Sequence, residues 1–212
     1  VFGCGAALMF FGKDELLERA FDHGVNVFDV GTSSYYRNAE GNLAGFAKRH
    51  RERIFLISKG RVDIEVGPAD VLRPSASREA ARTWSAALDA SLSDLATDHV
   101  DAYYLMGANN PSVIRNDEMY EAFLQAKKAG KTSHWGISTH ENAQAGLLTA
   151  AETGRYALAQ IAITPAGWYG WADKNIVPGS PDMVSLPPVL AKARAADIGL
   201  IGMKAGRFLA GR

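Results

Sequence analysis

The chain has 212 residues, 47% hydrophobic and 22% charged, with 23 lysines and arginines against 23 aspartates and glutamates. That length fits one globular domain with a real core, and the zero net charge gives no field to draw in a nucleic acid or an anionic membrane. The single cysteine, Cys4, excludes an internal disulfide and a thiolate-rich metal site, and no apolar run reaches the roughly 18 residues of a membrane span.

The opening "VFGCG" reads as a strand, and its Gly3 and Gly5 admit a competing fold. With Asp29 closing the next strand they approach the fingerprint of a Rossmann domain, but Leu8 stands where that motif needs glycine or alanine. "KDELLERAFDHG" follows as a helix with Leu16, Leu17, Ala20 and Phe21 on one face and Gly24 as its cap, and "GVNVFDV" as a strand. The same order recurs as "EGNLAGFAKRH" before "RIFLISK". It recurs again as "SREAARTWSAALDASLSDL", with Trp84, Leu88, Leu92 and Leu95 in one stripe, before "HVDAYYLM". "MYEAFLQAKKAG" then precedes "HWGIS", "ENAQAGLLTAAETG" precedes "ALAQIAI", and "PPVLAKARAADIG" precedes "LIGMK". This alternation predicts about seven units of a (β/α)8 TIM-type barrel, an eighth being missing. The helices differ in sequence, which excludes a solenoid repeat, and no linker divides the chain.

Two long segments follow strand C-terminal ends, where barrel enzymes build their sites: "GRVDIEVGPADVLRPSAS" and "TPAGWYGWADKNIVPGSPDMVS". Trp168, Tyr169 and Trp171 of the second either wall an apolar pocket or cap the barrel end as packing. In a barrel, Asp29, Lys59 and Met106 end the second, third and fourth strands and stand side by side at one rim. The stem of Lys59 starts deep, because "IFLIS" before it is a buried-strand run.

The blocks "GVNVFDVGTSSYYRNAE", "RIFLISK", "SLSDLATDHVDAYYL", "KKAGKTSHWGIST" and "IGLIGMK", in this order and spacing, resemble the aldo/keto reductases over nearly the whole chain. The resemblance implies a barrel that reduces an aldehyde or ketone by hydride transfer with NADPH, NADH staying open. A tyrosine then donates its proton to the carbonyl oxygen, Lys59 lowers that tyrosine's pKa, and Asp29 holds Lys59 charged and in place. Five residues after the aspartate, where the family has its tyrosine, stands Ser34; anchoring on "YRNAE" selects Tyr36 over Tyr35. Ser138 and Gln160 match positions that bond the nicotinamide carboxamide, and Met203 replaces the aromatic residue that stacks on the ring. Met106 replaces the histidine that ends the fourth strand, which removes a donor, and His140 beyond the fifth strand is a candidate substitute.

The expected domain is a single barrel over residues 1–212, incomplete at both ends, since the chain stops at Arg212 before an eighth strand. The expected partner is a small carbonyl compound, with no nucleic acid, membrane or metal. The expected location is the cytoplasm, with export open because the chain begins at Val1 rather than methionine. Two other functions compete. One is a catalytically weak or inactive relative that serves as a nicotinamide-binding sensor or subunit, motivated by Met106; the other is a nicotinamide-free lyase or isomerase using Asp29 and Lys59 as acid and base.

Overall fold

Seven short β-rich runs pair in parallel in the order in which they leave the chain. They are β1 (Gly3–Gly5), β2 (Val27–Asp29), β3 (Phe55–Arg61), β4 (Val100–Met106), β5 (Thr132–Thr139), β6 (Leu158–Thr164) and, beyond an antiparallel hairpin of β7 (Gly167–Gly170) and β8 (Asn175–Ile176), β9 (Gly199–Met203) on the far side of β6. The computed structural model describes residues 3–5, 14–62, 64–67, 69–164, 166–179 and 187–204. Among these residues β1 and β9 do not pair with each other, so the sheet is a partial (β/α)8 barrel. A doubly wound Rossmann sheet is ruled out, because strand order never reverses along the sheet. Leu8, which weighed against that fold in the sequence, lies outside the described residues.

The crossovers are α1 (Asp14–Asp22), α3 (Ala39–His50), α4 (Pro74–Asp94), α6 (Asp117–Lys128), α7 (Ala143–Thr153) and α8 (Pro187–Ala195), with single turns α2 (Ser33–Tyr36) and α5 (Pro111–Ile114) in the loops after β2 and β4. Pro74 opens α4 at a position where a missing N–H costs nothing, and Trp84, Leu88 and Leu92 form its buried stripe. Trp84 lies wholly buried 5.3 Å from the ring of Tyr103 and 6.2 Å from that of Trp135; truncating such a side chain to alanine typically costs about 3–5 kcal/mol. Gly24 and Gly154 end α1 and α7 with φ of 88° and 63°, where an L side chain would be strained. Leu16, expected on the buried face of α1, is 46% exposed; Leu17 alone of that helix is fully buried. No helix among the described residues is long and apolar enough to cross a membrane.

Strand alternation sorts the two faces of the sheet. Phe28, Leu56, Tyr103, Leu105, Trp135 and Ile161 join the large core beneath the helices, whereas Ile57, Ala102 and Tyr104 pack inside the barrel with Val27, Phe55, Leu158 and Ile201. Gly136 of β5 makes room for the Tyr104 ring, because a Cβ there would overlap it. The lumen is therefore filled from below, and side chains further along each strand emerge at the C-terminal rim.

Candidate active site

The parallel register fixes what meets at that rim. Asp29 pairs with Ile57, so Lys59, two residues further along β3, rises beside it, and Ser138 pairs with Gln160 across β5 and β6. Lys59 Nζ donates to both carboxylate oxygens of Asp29 at 2.7 and 2.5 Å and to Gln160 Oε1 at 3.2 Å. Gln160 Nε2 donates to Asp29 Oδ2 at 3.0 Å, and Ser138 Oγ donates to Gln160 Oε1 at 2.9 Å. Lys59 is only 4% exposed, and its charge is tolerated there because opposite charge and oriented amide oxygen replace its water. Asp29, Lys59, Ser138 and Gln160, scattered over more than a hundred residues of sequence, form one network.

Tyr36 ends the single turn α2, and its ring lies 5.7 Å from Lys59 Nζ. Gly31 allows this approach: a Cβ there would stand 2.5 Å from Tyr36 Cε2 and 3.0 Å from Lys59 Cγ. Burial, reinforced by the charge of Asp29 and by Tyr35, pushes the Tyr36 hydroxyl well above its ordinary pKa. That reverses the expected lowering by Lys59. Asp29 sits tightly against the ammonium and offsets part of its field at the tyrosine, and the loss of water then dominates. Tyr35 is 44% exposed, edge-on to Tyr36, and reaches outward toward Arg61.

These side chains line a cavity of about 1020 Å³, whose wall also includes Met106, His140, Trp171 and Met203. Met106 closes β4 on the rung of Arg61 and Ser138, so its thioether stands where a donor was missed in the sequence. His140 Nε2 is buried with no hydrogen-bond partner among the described residues. Burial, and then the charge of Lys204, push this imidazole down to about 4, so it is neutral near pH 7. The second long loop both packs and walls the cavity. Trp168 and Tyr169 are buried in β7, while Trp171 faces the cavity with its ring 5.2 Å from His140. Glu141 Oε1 holds that turn by accepting from the backbone N–H groups of Trp171 and Ala172 at 2.8 and 3.1 Å.

Three features escaped the sequence. Strand β3 runs past Lys59 to Arg61, which also lines the cavity. Glu40 is fully buried on α3 and accepts from Ser58 Oγ at 2.5 Å, tying the helix to the strand residue before Lys59. Burial raises its pKa, opposed by the Ser58 bond. The second long segment also holds the hairpin β7–β8, for which the alternation of "GWYG" is the signal available in the sequence.

A partial parallel barrel that brings an aspartate, a lysine and a tyrosine together at its C-terminal rim has the layout of barrel proteins that build their sites at the strand ends. The profile described as the aldo/keto reductase family matches residues 12–203, and the chain belongs to that family. Among solved structures it is similar to an aldo-keto reductase from Klebsiella pneumoniae in complex with NADPH, at 20% identity and a TM-score of 0.65, over 95% of this chain and 62% of that one. It is also similar to an aldo/keto reductase from Klebsiella pneumoniae in complex with NADP and acetate, at 20% identity and a TM-score of 0.67, over 99% and 66% of the two chains. The likeness is one of fold, and the chain spans slightly less than two thirds of those proteins' length. No curated protein matches the sequence.

Proposed function

We propose that the protein reduces an aldehyde or ketone to an alcohol with NADPH, NADH being the alternative, and that Asp29, Tyr36 and Lys59 carry the proton transfer. The observation that carries this reading is the buried Lys59 ammonium, held by both Asp29 oxygens and set beside the Tyr36 ring at the floor of a cavity. Family membership and the NADPH and NADP in the two structural relatives support it.

The rim residues fit a nicotinamide. Ser138 gives its proton to Gln160 and keeps lone pairs that can accept a carboxamide N–H, and the Met203 thioether offers a soft apolar contact to a ring. A nicotinamide held there would supply the hydride for the carbonyl carbon. Tyr36, kept protonated by its burial, donates its hydrogen to the oxygen as that oxygen becomes an alkoxide, a stronger base than tyrosinate. Lys59 stabilises the tyrosinate until solvent returns the proton, and Asp29 keeps Lys59 in position. Neutral His140 has an N–H to offer the carbonyl oxygen, the function Met106 cannot perform. The sensor reading rests on that same Met106.

Titrating nicotinamide fluorescence and then running a panel of aldehydes and ketones separates the possibilities. The proposal expects fluorescence change and turnover, both surviving in Tyr35→Phe, with turnover lost in Tyr36→Phe. Binding without turnover supports the sensor. Absence of any fluorescence change refutes the nicotinamide site and leaves the lyase or isomerase.

A further inference from the structure

We infer that Arg61, with the side-chain amide of Asn109, forms a subsite for a carboxylate on the carbonyl substrate, so the protein acts on aldehydes or ketones bearing an acid group a few carbons from the carbonyl. This deepens the reductase reading and rests on it for the carbonyl.

Direction comes first. On β3, Phe55, Ile57 and Lys59 face the lumen, and Arg61 continues the same alternation into the cavity. Two residues of strand place its Cα about 6.6 Å above that of Lys59, further out along the path a substrate would take to Tyr36. Arg61 shares a rung with Met106, and Asn109 lies three residues beyond Met106 in the same wall.

The charges come second. Arg61 has no carboxylate partner among the described residues; its guanidinium lies 5.8 Å from the Tyr35 ring centroid and makes no hydrogen bond there. The two acids of the cavity wall are already engaged, Asp29 by Lys59 and Glu141 by the amides of Trp171 and Ala172. Within that wall Lys59 is matched by Asp29, which leaves the Arg61 guanidinium, with no carboxylate among the described residues, to favour an anion at the mouth. A guanidinium fork matches a carboxylate in two parallel hydrogen bonds, and an amide N–H adds a third. Strand order also separates Arg61 on β3 from Ser138, Gln160 and Met203 on β5, β6 and β9, so the anion belongs to the substrate rather than to the nucleotide.

The test compares 4-carboxybenzaldehyde with 4-carbamoylbenzaldehyde, which differ in charge and little in shape, and in parallel the binding of benzoate and benzamide by calorimetry. The expected result is a KM about tenfold lower for the carboxylate aldehyde, a ratio near one in Arg61→Ala, and part of the preference kept in Arg61→Lys. Raising the salt should shrink the ratio in the wild type and in Arg61→Lys but leave it near one in Arg61→Ala. If neither aldehyde is reduced, the reductase reading fails, while the benzoate–benzamide difference and its loss in Arg61→Ala still decide the subsite. Equal binding of benzoate and benzamide overturns the inference whatever the turnover. It is equally overturned if Arg61→Ala weakens NADPH more than NADH, because Arg61 would then serve the cofactor phosphate.

Discussion

Replacing Lys59 by methionine removes an ammonium that makes three contacts, at 2.7 and 2.5 Å to Asp29 and 3.2 Å to Gln160. Methionine has a similar volume, so no large cavity follows; the damage is electrostatic. Asp29, its side chain 18% exposed, keeps only the Gln160 amide at 3.0 Å among these partners. Breaking a fully buried ion pair costs about 3–5 kcal/mol, and the partial exposure of Asp29 puts this case near the lower end, about 3 kcal/mol. That is a large share of the roughly 5–15 kcal/mol by which a domain is stable. Adding Asp29→Asn removes the stranded charge and should return about 2 kcal/mol, while both the single and the double variant lack reductase activity. Urea unfolding followed by tryptophan fluorescence reads the difference as a shift of the midpoint at constant slope. A double variant no more stable than Lys59→Met would refute the argument, because the cost would then lie in packing.

Gly31→Ala puts a methyl against the Tyr36 ring and the Lys59 stem, and turnover should fall about a hundredfold with little change in melting temperature, since a displacement near 1 Å suffices for such a loss. Met106→His restores a donor at the end of β4. A well-placed donor is worth ~2.7 to 4 kcal/mol, an unoptimised graft realises part of that, and turnover on small aldehydes should rise about tenfold in single-turnover kinetics; an equal or lower rate favours the sensor. Glu40 binds its proton more tightly folded than unfolded, so it contributes stability at low pH that is lost as pH rises from about 4.5 through its raised folded value. Glu40→Gln keeps the Ser58 bond without that titration, and melting temperatures across pH 4 to 8 should fall less in the variant than in the wild type.

Much of the framework was legible because it follows from local period and from caps. The stripe Trp84, Leu88 and Leu92 lies buried as its spacing required, and Gly24 takes the left-handed backbone that a helix end prefers. Asp29 and Met106 stand at the strand ends where the β-rich runs stop. Leu16 was misplaced because a helical face drawn from four residues does not say how far the neighbouring elements reach around it.

What only tertiary structure decided is the pairing across the barrel. The sequence names Asp29, Lys59, Ser138 and Gln160 singly, but their shared hydrogen bonds depend on the register of β2, β3, β5 and β6, which is set by the whole sheet. The direction of the Tyr36 shift was invisible for the same reason. It is a balance between burial and the charges of Asp29 and Lys59, and both depend on distances that no local pattern encodes. Arg61 shows the limit most simply: a cation two residues past a lysine reads as surface and is indeed exposed, and only the continuation of the strand places it on the cavity wall as well.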